Sequence, residues 1–104
     1  MFLFEIVELH GGGPMSGNVF VNGGPVCDDE WDLRDAEVVC RMLFNVSALA
    51  ATRYSVFGLV GEDFSMTEVN CTGEEQDIIN CQHSTTISRW CESDDAAGVV
   101  CGGK

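Results

Sequence analysis

The chain has 104 residues, of which 17 are Asp or Glu and five are Lys or Arg, so its formal charge is −12. This balance repels phosphate backbones and anionic headgroups, which argues against nucleic acid as a direct partner. No apolar run is long enough to span a bilayer, so we expect no membrane insertion by this domain. The apolar start Met1–Ile6 lacks the basic residues and long apolar run of a signal peptide. Length predicts one domain. We expect it over 6–102, preceded by an extension or added residues over 1–5.

The first third of the chain has the pattern of β-structure. Residues that favour strands occur over Ile6–Leu9 and Val19–Val21. Glycine and proline concentrate in His10–Pro14 and Asn22–Pro25, which predicts turns between these extended segments.

One amphipathic helix is predicted to follow Trp31. Asp32 is a typical N-cap residue, and Asn45 stands where the pattern ends. We therefore predict a helix over about 32–44. The apolar positions that recur at helical spacing are Leu33, Ala36, Val39, Cys40 and Leu43.

The rest of the chain predicts short elements. Tyr54–Asp63 has the composition of a loop or strand, and Met66–Cys71 and Gly98–Cys101 have that of strands. Thr72 followed by Glu75 fits a capping box that opens a short helix over about 73–80. The predicted fold is a small α+β domain.

The six cysteines indicate a disulfide framework. An even number of cysteines in a short chain is typical of small domains from oxidising compartments, whose cores bury too little apolar surface. Zinc is the less favoured alternative, because no Cys-x(2–4)-Cys pair is present and only His83 lies close to a cysteine, Cys81. We expect an extracellular protein, secreted or part of an ectodomain. Spacing alone does not select one pairing.

A long segment resembles a known family. Residues 27–43 read CDDEWDLRDAEVVCRML, which is similar to the CDDxWDxxDAxVVCRxL signature of scavenger receptor cysteine-rich (SRCR) domains. The similarity runs from about Val7 to Gly102, and it implies a curved antiparallel sheet that cradles one main helix. It continues through Phe57-Gly58, Val69-x-Cys71-x-Gly73-x-Glu75, Ile79-x-x-Cys81-x-His83 and Ala97-Gly98-Val99-Val100-Cys101.

The resemblance is to the six-cysteine form of the family, group A, and it implies a disulfide pairing. The implied pairs are Cys27 with Cys91, Cys40 with Cys101, and Cys71 with Cys81.

The resemblance also implies a calcium site. Several family members bind Ca²⁺ with residues that match Asp28, Asp29 and Glu75 here, and three carboxylates completed by carbonyls and water suit this ion. Some relatives have a second cation site, at positions where this chain carries different residues. Its candidate ligands here are Asp35, Glu68 and Glu74. The alternative is structural, with the aspartates capping turns and Glu75 completing the capping box of Thr72.

Three functions remain open for such a domain. The resemblance implies an extracellular module that recognises polyanionic or microbial ligands, or protein ligands, with help from Ca²⁺. Arg34 and Arg41 lie two helical turns apart and are the candidate anion-binding residues, although solvated charges explain them better. The alternatives are a calcium-independent protein adhesion or receptor module, and an accessory domain of a secreted protease or lysyl oxidase.

Two further patterns concern modification and catalysis. Asn45-Val46-Ser47 and Asn70-Cys71-Thr72 are N-glycosylation sequons, and Asn45 is the better candidate because Asn70 precedes a probable disulfide. We predict no enzyme, since His10-Gly11-Gly12-Gly13 lacks an accompanying Gly-x-Ser-x-Gly elbow and His83 lacks a catalytic partner. The aromatic residues Trp31, Trp90 and Phe57 are interpreted as core.

Overall fold

The computed structural model describes residues 5–86 and 91–103, which form seven strands and one α-helix. Five strands form one antiparallel sheet in the order β1-β2-β7-β4, with β3 also paired to β2, and β5 and β6 form a separate two-stranded sheet. The elements are β1 Val7–Gly11, β2 Ser16–Val21, β3 Gly24–Pro25, α1 Leu33–Phe44, β4 Ser47–Thr52, β5 Thr67–Asn70, β6 Gln82–Ser84 and β7 Gly98–Gly103.

The turn between β2 and β3 follows from two residues. Asn22 and Gly23 have φ angles of 52° and 88°, the left-handed region that asparagine and glycine tolerate best. Two successive residues of this kind make the tight turn that matches the twist of a hairpin, so Val21 pairs directly with Gly24.

The predicted main helix is confirmed with its caps. Asp32 accepts hydrogen bonds from the backbone N–H groups of Arg34 and Asp35, and the Asp35 carboxylate accepts one from the N–H of Asp32. This reciprocal pair satisfies amides that a helix start leaves without partners. Asn45 closes the other end in the left-handed conformation, with φ of 56°.

The predicted short helix over 73–80 is wrong in its extent. Only Ile78–Asn80 is helical, as one 3-10 turn, and its N-cap is Asp77 instead of Thr72. Gly73 has a φ of 101°, which no right-handed helix accommodates, so the chain is not helical where the capping box was expected to begin it. The side chain of Glu75 nevertheless binds the Thr72 amide, as a capping box requires.

The core lies between α1 and the main sheet. Trp31 is buried to 1% exposure, and its indole N–H donates to the carbonyl of Gly98 in β7 over 2.9 Å. This bond joins the residue that precedes α1 to the centre of the sheet. Trp90 lies outside the described residues, and so does Arg89. The fully buried aliphatic side chains include Val19, Val21, Val26, Val38, Val39, Val69, Ile78 and Val99.

Three disulfides cross-link the chain, two of them between residues more than 60 positions apart. They join Cys27 to Cys91, Cys40 to Cys101, and Cys71 to Cys81, which is the pairing that the resemblance implies. The Cys40–Cys101 bond ties α1 to β7, and the Cys71–Cys81 bond closes the loop that follows β5. Of the described helices, none has the length and apolar character needed to cross a bilayer.

Candidate functional site

Asp28 is almost buried, at 8% exposure, and its carboxylate is committed to the backbone. Its Oδ2 accepts a hydrogen bond from the N–H of Tyr54 over 2.8 Å. Burial raises the pKa of Asp28, the hydrogen bond from Tyr54 lowers it, and the nearby negative charge of Asp95 raises it again. The net direction is upward, with burial as the leading cause and the charges of Asp95 and Asp29 adding to it.

Asp29 lies beside a disulfide and supports an irregular position of β5. Its Oδ1 accepts from the N–H of Glu68 over 2.9 Å, and Glu68 has a φ of 54°. An oxygen of Asp29 also lies within 4.8 Å of the sulfurs of Cys27 and Cys91. Those sulfurs are bonded to each other, so they offer no thiolate to a metal ion.

Glu75 turns back onto its own loop. Its two carboxylate oxygens accept from the N–H of Thr72 at 3.1 and 2.9 Å, and one of them also accepts from the N–H of Gly73. The backbone N–H of Thr72 is the leading cause that lowers the pKa of Glu75, because it stabilises the charged form. The carboxylate lies beside the Cys71–Cys81 bond.

The three candidate calcium ligands therefore bind three separate parts of the backbone. Oxygens that share one Ca²⁺ ion at 2.3–2.6 Å must lie within about 5 Å of one another. Within residues 5–86 and 91–103, two groups of three potential ligand atoms lie within 4.8 Å of one another. Each group consists of the two sulfurs of a disulfide and one carboxylate, either that of Asp29 or that of Glu75. As oriented here, Asp28, Asp29 and Glu75 do not fit one ion, and calcium binding stays a prediction.

The second-site candidates are dispersed in the same way. Asp35 is completely buried, and its carboxylate accepts from the N–H of Cys71 over 2.7 Å as well as from that of Asp32. Glu74 is exposed on the loop closed by the third disulfide. Glu68 lines a polar cavity of about 210 Å³ together with Glu30, Asn70, Gln82 and His83.

Burial of Asp35 predicts a pH dependence of stability. Desolvation raises the pKa of Asp35 to about 6 from 3.8, and the charge of Asp32 acts in the same direction. The folded state thus holds a proton that the unfolded chain releases, so this carboxyl makes the domain less stable as pH rises from about 4 to about 6. About two pKa units correspond to roughly 3 kcal/mol.

Replacing Asp35 with Asn should remove most of this dependence. We expect the free energy of unfolding of Asp35→Asn to rise relative to wild type by roughly 3 kcal/mol between about pH 4 and about pH 7. Urea unfolding followed by circular dichroism at several pH values measures this difference. Parallel curves for the two proteins would show that Asp35 does not titrate in that range.

The two candidate arginines are both engaged inside the domain. Arg41 donates to the carbonyl oxygens of Gly73 and Glu75, which fixes the loop of the third disulfide against α1. Arg34 forms an ion pair with Asp32 at 3.1 Å on the exposed start of the helix. The stem of Arg34 also runs past Gly73, while its guanidinium stays exposed. Anion binding by Arg34 and Arg41 stays a prediction.

Both sequon asparagines are accessible. Asn45 is exposed at the end of α1, and Asn70 is exposed in β5 immediately before the disulfide residue Cys71. Glycosylation at either position stays a prediction.

One exposed segment was missed by the sequence analysis. Residues 54–60, which we call the Tyr54 loop, contain Tyr54, Val56 and Leu59 with exposures of 69%, 60% and 77%. The sequence predicts a loop or strand over Tyr54–Asp63 and does not identify its apolar side chains as a surface feature. The available sequence signal was the absence of strict alternation or helical spacing in this segment.

Comparison with known proteins gives consistent matches. The profile of the scavenger receptor cysteine-rich domain family matches residues 9–102. A scavenger receptor cysteine-rich domain superfamily protein of Patiria pectinifera is 47% identical over 100 residues, covering 91% of this chain. Human lysyl oxidase homolog 2 is 41% identical over 92% of the chain, and galectin-3-binding protein of Pongo abelii is 39% identical over 88%. The chain spans 9%, 13% and 16% of the lengths of these three relatives.

Solved structures match the fold. The third SRCR domain of murine neurotrypsin superposes with a TM-score of 0.83 at 32% identity, covering 94% of this chain and 96% of that one. The SRCR domain of mouse MARCO, in its dimeric form, gives a TM-score of 0.72 at 34% identity, covering 88% of this chain and 90% of that one. Both similarities extend over nearly the whole domain.

Proposed function

The chain belongs to the scavenger receptor cysteine-rich family, and from this premise we propose that it is a non-catalytic extracellular module that recognises protein ligands through its acidic surface. The main observation behind this proposal is the excess of negative charge, with 17 acidic residues against five basic ones. Such a surface attracts a positively charged partner and accelerates its association by electrostatic steering.

The arginines support a protein ligand over a polyanion. Arg41 and Arg53 donate to backbone carbonyl oxygens, and Arg34 pairs with Asp32. The guanidinium groups of Arg41 and Arg53 are thus occupied by backbone contacts, and that of Arg34 lies beside a carboxylate. A sulfated or phosphorylated polymer would face mostly carboxylates, whose repulsion opposes binding.

Histidine chemistry gives no support to a catalytic role. His10 hydrogen-bonds Glu8 on an exposed strand, and Nδ1 of His83 donates to the carbonyl of Cys81 over 2.7 Å. Neither contact links a histidine to a nucleophile in the way that general-base catalysis requires.

We keep calcium as a separate part of the proposal. Burial is the leading cause that raises the pKa of Asp28, and the carboxylates of Asp95 and Asp29 raise it further. A bound cation would relieve this repulsion, which supports the proposal. Coordination by Glu75 as well would require its side chain to release the amides of Thr72 and Gly73. Protein recognition does not depend on this step.

A binding experiment separates these alternatives. Immobilised domain is exposed to poly-L-lysine and to dextran sulfate, at low and at physiological salt, with added CaCl2 or with EDTA. We expect poly-L-lysine to bind, to lose at least about tenfold in affinity at the higher salt through screening, and to be insensitive to EDTA. Dextran sulfate should not bind.

Two outcomes would change the proposal. Binding of dextran sulfate only in the presence of calcium would assign the domain to calcium-assisted polyanion recognition. Titration calorimetry of the same protein with CaCl2, and of Asp29→Asn as a control, tests the ion directly. Absence of heat at millimolar calcium would remove calcium and leave protein recognition in place.

A further inference from the structure

Exposed apolar side chains concentrate on the Tyr54 loop. Six large hydrophobic residues of the described chain are exposed, and three of them, Tyr54, Val56 and Leu59, lie within six consecutive positions. Isolated exposed apolar residues are normal on protein surfaces, whereas a local concentration marks an interaction site. Tyrosine is also among the residues that contribute most to protein interfaces.

The backbone of this loop is fixed by the interior of the domain. Buried Ser55 donates from its N–H to the carbonyl of Ala96, and its hydroxyl both donates to the carbonyl of Ser93 and accepts from the N–H of Ala96. Asn18, buried in β2, donates from its amide to the carbonyl of Gly58 over 2.8 Å. The exposed side chains are therefore held on a rigid support.

Two consecutive residues of the loop adopt an unfavourable conformation. Tyr54 and Ser55 have φ angles of 61° and 50°, which side chains other than glycine rarely adopt. Such conformations persist where surrounding contacts determine them, and they are common at functional sites. Here the hydrogen bond from the Tyr54 N–H to Asp28 holds the first of the two.

Acidic residues occur in the chain segments that adjoin the loop. The N–H of Val60 donates to the carbonyl of Ser93, so the segment that follows Cys91 runs beside the loop. Arg53, the basic residue that immediately precedes the loop, donates from its guanidinium to the carbonyl of Trp31. The acidic residues of the loop's continuation and of the neighbouring segment are Glu62, Asp63, Glu92, Asp94 and Asp95.

We propose that Tyr54, Val56 and Leu59 form the apolar centre of a protein-docking surface for a partner whose apolar cleft is bordered by lysine or arginine. The acidic residues around the loop complement that border, and the apolar side chains fill the cleft. Because the loop is already ordered, binding avoids much of the entropy cost of fixing it. This inference rests on the proposed recognition of cationic proteins and adds the position of the contact.

The test uses a defined peptide probe. The intact, isotopically labelled domain is titrated with the peptide KKLWLKK and followed by heteronuclear NMR. We expect shifts at the amides of residues 54–60 and of the segment after Cys91. The charge-reversed peptide EELWLEE and the peptide KKGSGKK, which lacks the apolar centre, should bind at least about tenfold more weakly.

Variants of the loop test the same contact. Tyr54→Asn keeps a residue that tolerates positive φ, and combined with Leu59→Ser it should weaken KKLWLKK binding at least about tenfold. Leu49→Ser in β4 removes an equally exposed apolar side chain, at 62%, and should leave binding unchanged. Unaltered amide shifts away from the loop establish that the double variant is folded.

The remaining outcomes overturn the inference in distinguishable ways. Equal binding of KKLWLKK and KKGSGKK, with no shifts at 54–60, would remove the docking surface and leave cationic recognition in place. Equal binding of EELWLEE would remove the charged border. Failure of both lysine peptides to bind would remove the proposed function itself. Loop-dependent binding to phosphatidylcholine vesicles would assign the loop to lipid instead.

Discussion

Replacing both Cys40 and Cys101 with serine is expected to cost roughly 4 kcal/mol of stability. The bond joins residues 61 positions apart, so its loss frees a long loop in the unfolded chain and increases its entropy. Domains of this size are stable by only about 5–15 kcal/mol, so the double variant should be near its unfolding threshold at physiological temperature. Urea unfolding followed by circular dichroism measures the difference.

The third disulfide provides a matched control. Cys71 and Cys81 are only 10 positions apart, and the same entropic argument gives roughly 3 kcal/mol for their replacement by serine. The Cys40–Cys101 variant should therefore have the lower urea midpoint of the two. A lower midpoint for the Cys71–Cys81 variant would mean that local structure, and not chain entropy, determines the stabilisation.

Truncation of Trp31 is the second substitution with a large expected effect. The ring is buried at 1% exposure, and Trp31→Ala would leave a cavity between α1 and the sheet that costs about 3–5 kcal/mol. Trp31→Phe retains much of the ring but leaves the carbonyl of Gly98 without its donor, which costs about 1–3 kcal/mol. In chemical denaturation, the free energy of unfolding should therefore be highest for wild type, lower for Trp31→Phe and lowest for Trp31→Ala.

An exposed neighbour serves as the control for this series. Leu33 is 53% exposed at the start of α1, and Leu33→Ala should change stability by no more than about 0.5 kcal/mol. Equal losses for Trp31→Phe and Trp31→Ala would assign the whole contribution to the hydrogen bond. A loss at Leu33 as large as that at Trp31 would contradict the position of the core.

Elements with local signals could be predicted from the sequence. The main helix was predicted nearly to the residue because Asp32, Asn45 and the apolar spacing between them act within one segment. β4 was not predicted, since Ser47–Thr52 is largely alanine and has little intrinsic strand preference. It forms because β7 pairs with it, a contact between residues about fifty positions apart that no local pattern records.

The candidate site could likewise be predicted only in part. Resemblance identified Asp28, Asp29 and Glu75 as a set, but the direction of each carboxylate depends on which amide groups surround it in the folded domain. The Tyr54 loop was missed for a related reason. Apolar composition predicts burial on average, and only the tertiary hydrogen bonds of Ser55 and Asn18 hold these side chains outward.

The irregular edge of the main sheet affects how neighbouring copies of the domain can pair their strands. β4 lies at that edge, and its register with β7 shifts twice, between Ser47 and Ala48 and between Ala48 and Ala50. Such bulges twist an open edge and prevent a second strand from adding in register. Domains held side by side at high local concentration are thereby hindered from pairing their sheets through the β4 edge.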